Sequence, residues 1–462
     1  MQMWARRAVD DILAMLAGKG VPFKNTERVV TIILITKWSG MGTAEVAIKY
    51  VREAVSAAGI TCLQVRFYAA WDNEDTCKEI LLTSDCEHVF TDLLDTMPRR
   101  VVSSIRKQQS KCCAQYMAAL GELTPKELRA GVGKQIKESK TAGFLNFVKT
   151  KMKSSFSAAS ATAYCHRCDQ QCPVAPEVGK NEFVFEIISP TCTPWSLRGS
   201  QLGWLDEANL PLLMWPWELQ ARPCHLWLLE CTPTIDLDYI REVAGATYKV
   251  EPAIVRPHEI GHPVGGGRMY AKGSHLEWMP SKHAYSREVM QECIFRPCLY
   301  DGHAFLLATR DEVKKFGDVI AARRGFPPCP RTRGYPVRDL LPSGGKDRLQ
   351  ALEAKAFQKK IGPGGEQGHY FFDISQNAGF TTMACAIPRP CTNSDIWSQR
   401  RDGPVLPHEL LAAQGFAAWL FKSIRIQLVS NSDFTLEIKK LYLLSGVPVC
   451  KVLLLDYGLE KS

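Results

Sequence analysis

A cysteine in a short loop between two prolines is a candidate nucleophile. Cys192 lies between Pro190 and Pro194, just after an apolar segment that ends at Ile188. A thiol in such a loop is accessible enough to react, although most cysteines are buried apolar residues. Glu230 ends the next apolar segment of the same kind. Because apolar neighbours raise the pKa of a carboxyl group, Glu230 is a candidate acid for protonating a ring nitrogen.

Two glycines and two acids follow three other apolar segments. Gly40 and Gly42 come after the β-branched run 29–36. Glycines at this place let the backbone approach a ligand and leave free N–H groups at the start of a helix, although similar pairs also occur in ordinary tight turns. Asp72 and Asp92 follow the next two segments, and an acid after the second strand can hold the ribose hydroxyls of a nucleotide. Together these positions predict a nucleotide-type cofactor site.

Alternating strands and helices would bring these residues together. Strands are predicted at 29–36, 62–69, 88–90, 182–188, 225–230, 248–255 and near 268–271. Apolar residues at helical spacing fill 44–55 and 76–82, between the first three strands. This alternation predicts a parallel, doubly wound α/β sheet, in which the carboxyl ends of the strands share one edge.

The order and spacing of these segments resemble the cytosine-C5 DNA methyltransferases over nearly the whole chain. The matching motifs are 38–42, Asp72, Asp92, 191–196 with Gly199, Gly203 and Asp206, 230–232, 264–268, 406–410 with 414–416, and 446–449. The resemblance implies a Rossmann-like class I AdoMet-dependent methyltransferase fold. It assigns residues 1–270 and 404–462 to the catalytic domain and residues 271–403 to a smaller target recognition domain.

The resemblance also implies a reaction and the residues that carry it. The reaction is methyl transfer from S-adenosyl-L-methionine (AdoMet) to C5 of cytosine in DNA, in the nucleus or another DNA-containing compartment. Cys192 would attack C6 of a flipped cytosine, Glu230 would hold N3, and Arg268 would steady the base or the adjacent phosphate. The implied AdoMet-binding residues are Trp38, Gly40, Gly42, Asp72, Asn73, Asp92 and Gly446.

The chain departs from the family pattern at positions that contact the base or the cofactor. These positions are Thr193, Cys231, Val264, Gly266 and Val447. The intact Cys192 and Glu230 favour an enzyme, whereas the departures favour weak activity or a non-catalytic relative that binds nucleic acid. RNA stays open as a substrate, because one branch of the family methylates tRNA.

Positive charge is concentrated in a segment that interrupts the alternation. Lys and Arg exceed Asp and Glu by 9, and thirteen basic residues face three glutamates between Met97 and Ser160. Residues 97–180 are therefore predicted to be a mostly helical insertion that faces a polyanion. Residues 323–348 combine Phe326 and Tyr335 with the basic residues Arg323, Arg324, Arg331, Arg333 and Arg338. This composition suits base stacking and phosphate contact, or simply a solvated loop.

Three cysteines have part of the spacing of a zinc site. Cys165, Cys168 and Cys172 offer three ligands, but a structural site needs four and no second matching pair is visible, so no metal is predicted. The odd total of 17 cysteines in 462 residues predicts mostly reduced thiols. No apolar run is long enough to cross a bilayer, and the amphipathic N-terminus lacks a signal-peptide core. These features predict an intracellular protein without a membrane span.

Overall fold

The computed structural model describes most of the chain up to residue 413. The described residues are 3–18, 29–40, 42–155, 161–197, 199–279, 291, 295, 297–299, 301–327, 335–361, 369–379, 381, 383–388 and 394–413. The helices are α1 (Met3–Gly18), α2 (Thr43–Ala57), α3 (Asp75–Leu81), α4 (Arg99–Glu122), α5 (Pro125–Arg129), α6 (Val132–Ser155), α7 (Leu210–Ala221), α8 (Asp238–Ala244), α9 (Arg310–Arg323), α10 (Ser343–Ile361) and α11 (Pro407–Ala413). The strands are β1 (Val30–Lys37), β2 (Leu63–Trp71), β3 (His88–Phe90), β4 (Thr162–Cys165), β5 (Gln170–Pro173), β6 (Glu182–Ile188), β7 (Leu226–Cys231), β8 (Tyr248–Val255), β9 (Arg268–His275), β10 (Phe371–Asp373), β11 (Ile396–Ser398) and β12 (Gly403–Pro404).

Seven strands form a mostly parallel central sheet with the order β3-β2-β1-β6-β7-β9-β8. The first five strands in this order run parallel, as the alternation predicts. The prediction of a parallel sheet is wrong for β9, which runs antiparallel between β7 and β8 and continues to His275. Residues 256–267 contain a 3₁₀ turn but no crossover helix, which a parallel return would normally require. With helices on both faces, this is a Rossmann-like α/β fold.

The side chains of the central strands alternate between two hydrophobic layers. In β1, Ile33 and Ile35 enter the layer that contains residues of α4, α6, α7 and α8. Ile32 and Leu34 enter the opposite layer, which contains residues of α1 and α2. Because both faces of β1 are covered, the middle of the strand, from Ile32 to Ile35, is apolar on both faces. In the described part of the chain, no helix is both long and apolar enough to cross a membrane.

The basic insertion is part of one of these layers. Phe144, Val148 and Met152 of α6 are buried in the layer that also contains Ile33 and Ile35. The helices α4 and α6 pack against each other, and the predicted capping box at Thr124 begins α5. The insertion therefore covers the sheet while its charged residues face outwards.

A second unit follows the central sheet. The strands β10, β11 and β12 form an antiparallel sheet that packs with α9 and α10 on two small hydrophobic clusters. Leu410 of α11 shares one of these clusters with Phe371. The division at residues 271 and 404 stays a prediction, and in the structure β9 spans the first boundary and β12 the second.

Candidate active site

The carboxyl ends of five parallel strands lie in one row. Strand pairing aligns Phe90 with Trp71, Trp71 with Lys37, Lys37 with Ile188, and Ile188 with Leu229. The residues that come next in these strands stand at one edge of the sheet, namely Thr91, Asp72, Trp38, Ser189 and Glu230. The structure thus places the predicted cofactor loop, both acids and the loop of Cys192 along the same edge.

The loop after β1 has the open backbone that a cofactor site requires. Trp38, Gly40 and Gly42 have φ angles of 55°, 57° and 78°, which only glycine adopts readily. The N–H of Ser39 donates to the carbonyl of Trp71 at 2.9 Å, and this bond fixes the loop to β2. A Cβ atom on Gly40 would meet no other atom within 4 Å. The backbone is therefore accessible to a ligand at Gly40.

Asp72 joins the glycine loop to the end of β2. Its Oδ2 accepts a hydrogen bond from the N–H of Gly40 at 2.7 Å, and its Oδ1 accepts one from the N–H of Glu74 at 2.9 Å. Burial raises the pKa of Asp72, and the two N–H groups oppose that shift. Each oxygen keeps a second lone pair that can accept a ligand hydroxyl. The neighbouring Asn73 is exposed at the same edge.

Two further carboxylates lie near the cofactor loop. Asp92 caps the 3₁₀ turn after β3, where its Oδ1 accepts the N–H of Leu94 at 3.0 Å, and burial raises its pKa. Sequence reasoning missed Glu45, whose only signal was an acid in the first turn of the helix after the glycines. The hydroxyl of Thr36 donates to Glu45 Oε1, and among the described residues Oε2 has no hydrogen-bond partner. Burial raises the pKa of Glu45 as well.

Cys192 begins a compact turn after β6. Its carbonyl accepts hydrogen bonds from the N–H groups of Trp195 at 3.0 Å and Ser196 at 2.9 Å. The hydroxyl of Thr234 donates to the carbonyl of Trp195 at 2.6 Å, so the turn is fixed to the loop after β7. The Cys192 side chain is partly buried and packs against the core cluster that contains Cys231. The candidate nucleophile therefore lies beside the end of the strand that carries the candidate acid.

Two glycines after Cys192 are required by close packing. A Cβ atom on Gly199 would lie 1.8 Å from the carbonyl oxygen of Thr193. Gly203 has a φ of 60°, and a Cβ atom there would lie 3.0 Å from the indole ring of Trp195. Any larger residue at Gly199 would displace the backbone of the loop that carries Cys192.

A buried glutamine of the insertion also supports this loop, and no sequence motif indicated it. The side-chain amide of Gln109 in α4 donates to the carbonyls of Trp204 at 2.9 Å and Asp206 at 2.8 Å. On the surface, Arg106 lies 2.9 Å from the carboxylate of Glu207. The insertion and the loop of Cys192 are thus joined directly.

Glu230 is a buried acid with a cationic neighbour. Its side chain and that of Arg268 are both almost inaccessible to solvent, and Arg268 Nε lies 2.7 Å from Glu230 Oε1. Burial raises the pKa of Glu230 to about 7, and the charge of Arg268 opposes the shift. Glu230 can therefore hold a proton at a pH at which an exposed glutamate is ionised. Burial also raises the pKa of the Cys231 thiol, which makes Cys231 a poor nucleophile.

The glycines before Arg268 form a connection to the second unit. The N–H of Gly265 donates to the carbonyl of Ile387 at 2.8 Å, and the N–H of Ile387 donates to the carbonyl of Pro263 at 2.9 Å. Gly266 has a φ of 87°, where any side chain would be strained. The backbone at Gly266 is therefore incompatible with the arginine of the family pattern.

A buried ionic cluster lies directly below the row of strand ends. Lys37 Nζ is 2.9 Å from the carboxylate of Glu186 and 2.6 Å from that of Glu218, and all three side chains are at most 5% exposed. Burial disfavours the charge on Lys37, but the two carboxylates outweigh it and raise the pKa of Lys37. This cluster had no sequence signal, because its members lie on β1, β6 and α7.

The basic residues of the second unit are only partly available for nucleic acid. Arg338 donates to both carboxylate oxygens of Glu353, at 3.0 and 2.6 Å, so it does not fit the predicted phosphate contact. Phe326 is 42% exposed, and its ring lies edge-to-face with Tyr335 at 5.7 Å between centroids. The predicted residues that lie outside the described part of the chain are Arg331, Arg333 and those of the motifs at 414–416 and 446–449, which include Gly446 and Val447.

The three spaced cysteines meet at the hairpin of β4 and β5, away from Cys192 in the chain. Cys165 ends β4, and Cys172 lies within β5. His88, 77 residues before Cys165, joins Cys165, Cys168 and Cys172 in one cluster. The fourth donor that local spacing could not reveal is therefore supplied by the first residue of β3.

The comparisons with known proteins found matches by structure and none by sequence. No protein-family profile matches the chain, and no curated protein matches its sequence. The structure is similar to that of the Entamoeba histolytica methyltransferase EhMeth, with a TM-score of 0.44 and 10% identity over 95% of this chain and 100% of that chain. It is also similar to the S. pombe Dnmt2 methyltransferase, with a TM-score of 0.41 and 11% identity over 92% and 98% of the two chains. A mutant of Spodoptera frugiperda DNMT2 overlaps with a TM-score of 0.39 and 12% identity over 92% and 98%.

Proposed function

We propose that the protein transfers a methyl group from AdoMet to C5 of cytosine in DNA. The observation that carries this proposal is a buried acid, Glu230, whose pKa is raised to about 7 and which lies beside the loop of Cys192. A thiol and a carboxyl with a raised pKa at adjoining strand ends suit addition of a nucleophile to a ring that must be protonated on nitrogen.

The residues at the cofactor loop fit AdoMet. Gly40 offers open backbone, Asp72 keeps lone pairs for ribose hydroxyls, and Asp92 can accept the adenine amino group. Bound AdoMet supplies an electrophilic methyl group. The side chains of Asp72 and Asp92 lie at the ends of neighbouring strands, so one extended ligand can contact both.

Cys192 and Glu230 then divide the chemistry on the base. The Cys192 thiolate forms a bond to C6 of a flipped cytosine, while Glu230 donates its proton to N3. The ring electrons displaced by this addition make C5 nucleophilic, and C5 takes the methyl group while S-adenosyl-L-homocysteine leaves. Loss of the C5 proton to a base then returns the electron pair, breaks the bond between sulfur and C6, and regenerates the Cys192 thiolate, while N3 returns its proton to the Glu230 carboxylate.

Arg268 acts on this step through Glu230. Its guanidinium opposes the rise in the Glu230 pKa, so the acid can lose its proton to N3 and remain stabilised as a carboxylate. Without Arg268, the buried Glu230 would hold its proton more tightly. Arg268 is therefore a positioning residue in this proposal.

Nucleic acid would be held by basic residues on either side of the site. Exposed residues of α4 include Arg99, Arg100, Lys107 and Lys111. Phosphate contacts of this kind return the few kcal/mol that flipping a base requires. Phe326 in the second unit is exposed for stacking. These features suit the binding of DNA, and the same reaction applies to cytosine in RNA.

A covalent trap tests the proposal. Duplex DNA and tRNA that contain 5-fluorocytosine are incubated with the protein and AdoMet, since fluorine at C5 blocks the final elimination. We expect an adduct with DNA that survives denaturation and maps to Cys192. Cys192→Ser should abolish the adduct, whereas Cys113→Ser, which changes a half-buried thiol of α4, should retain it.

The alternative outcomes separate the other candidate functions. An adduct with tRNA alone would assign an RNA substrate. Binding of AdoMet and DNA without any adduct would identify a non-catalytic nucleic-acid-binding protein. The φ angle of Gly266, which excludes the arginine of the family pattern, favours this alternative. An adduct on Cys231 or Cys165 would contradict the assigned nucleophile.

A further inference from the structure

The β4–β5 hairpin carries a compact group of metal-ligating side chains. The donor atoms of His88, Cys165, Cys168 and Cys172 all lie within 4.8 Å of one another. Three cysteine sulfurs and one histidine nitrogen are a ligand set that structural zinc sites use. We infer that these four side chains bind one zinc ion, which fastens the hairpin to the edge strand of the central sheet.

The spacing of the donor atoms fits a tetrahedral zinc ion. His88 Nδ1 lies 3.7 Å from Cys165 Sγ and 3.6 Å from Cys168 Sγ. With the usual Zn–S and Zn–N bond lengths, a sulfur and a nitrogen at two corners of a tetrahedron are roughly 3.6 Å apart. His88 and these two cysteines are thus already at the distance that the ion requires.

The backbone around Cys165 surrounds its sulfur with hydrogen-bond donors. The N–H of Val89 donates to Cys165 Sγ at 3.4 Å, and the N–H groups of Arg167 and Cys168 also donate to this sulfur. The turn closes with a hydrogen bond from the N–H of Asp169 to the carbonyl of Cys165 at 2.9 Å. Three N–H donors thus hold the Cys165 sulfur in a fixed position beside His88.

The burial of the four ligands distinguishes this group from an ordinary apolar core. Cys165 and Cys172 are buried, His88 is partly exposed, and Cys168 is exposed. In an ordinary apolar core, buried cysteines pack against apolar side chains. Here the sulfurs of the two buried cysteines also lie beside an imidazole and an exposed cysteine. One open side also gives an ion a path to the site from solvent.

The site lies where a metal would hold three elements together. The N–H of His166 donates to the carbonyl of Val89 in β3 at 2.8 Å. The guanidinium of Arg167 donates to the carbonyls of Leu81, Leu82 and Ser84, which are at the end of α3 and just after it. Zinc at this turn would therefore fix the hairpin on the strand that leads to Asp92.

Metal analysis of the whole protein tests the inference. The chain is purified without chelator under reducing conditions, and bound zinc is measured by mass spectrometry. We expect one zinc per chain in the wild type and a loss of at least about tenfold in Cys168→Ser, since removal of one ligand strongly lowers affinity. Because Cys168 is exposed, its replacement leaves the core intact. Cys113→Ser is the matched control and should keep its zinc.

Cobalt substitution and thiol counting give independent readings. The wild type with cobalt should show the charge-transfer and visible bands of a tetrahedral thiolate site, and Cys168→Ser and His88→Ala should lose them. Chelation should make the exposed thiol of Cys168 reactive in the folded protein. Wild-type protein without zinc, zinc retained in Cys168→Ser, or a disulfide between two of the three cysteines in the metal-free protein as isolated would each overturn the inference.

Discussion

Replacing Glu230 with glutamine should change the stability of the protein in a pH-dependent way. The substitution keeps the shape of the side chain but removes the group that titrates. The pKa of Glu230 is raised from 4.5 to about 7 in the folded protein, mainly by burial. A raised carboxyl pKa contributes stability that is fully present below pH 4.5 and is lost as the pH rises through 7.

The size of the effect follows from the two pKa values. At 1.36 kcal/mol per pH unit, ionisation of Glu230 costs about 1 kcal/mol at pH 5 and roughly 3 kcal/mol at pH 8. Glu230→Gln has no such cost, so it should gain roughly 2 kcal/mol in unfolding free energy relative to the wild type between these pH values. Any constant loss from its altered contact with Arg268 cancels in this difference.

Urea unfolding followed by tryptophan fluorescence at pH 5 and pH 8 measures the difference. The exposed Glu138→Gln on α6 serves as the control and should follow the wild type at both pH values. A Glu230→Gln variant whose stability differs from that of the wild type by the same amount at both pH values would refute the raised pKa. The same variant should bind AdoMet normally and form no covalent adduct with 5-fluorocytosine.

Three further substitutions test the site and its support. Asp72→Ala should weaken AdoMet binding at least about tenfold in calorimetry, because it removes a charge-assisted hydrogen bond and loosens the glycine loop. An unchanged affinity would contradict the assignment of Asp72 to the AdoMet site. Gly199→Ala should abolish adduct formation without unfolding the protein, since its Cβ atom would overlap a carbonyl, whereas Gly143→Ala in open space on α6 should keep activity; a fully active Gly199→Ala would contradict the packing. Lys37→Met should lower the unfolding free energy by about 3–5 kcal/mol, because the buried Glu186 and Glu218 both lose the Lys37 cation and only Glu218 keeps a second one, Arg222; a loss below about 1 kcal/mol in urea unfolding would argue against a charged cluster.

The sequence predicted the strands well where local patterns determine them. The predicted β3, β6 and β8 coincide with the observed strands, and the glycine loop and Asp72 lie where the alternation put them. These features depend on period and on turn residues, both of which are visible in a short window. The direction of β9 was not predicted correctly. A strand has the same residue pattern in either direction, and only the segment that leads to it shows whether the chain returns antiparallel or crosses over to run parallel.

Contacts between distant parts of the chain could not be predicted in the same way. His88 reaches the cysteine hairpin from 77 residues away, so no spacing rule connects them. Gln109 supports the loop of Cys192 from inside the basic insertion, where its own neighbours give no hint of the role. The φ angle of Gly266 likewise depends on pairing with the second unit. Such features follow from tertiary packing alone.

The position of β6 beside β1 has a consequence for how the chain folds. Thr31 pairs with Glu182, so the centre of the sheet closes a loop of roughly 150 residues. Contacts so far apart in the chain form slowly, because the entropy of closing the loop comes before any gain from pairing. The helices α4 and α6 lie inside this loop and pack on each other through a short connection. We therefore expect the helical hairpin to form first and to shorten the search between the two strands, so the basic insertion also acts as a folding nucleus for the sheet that it covers.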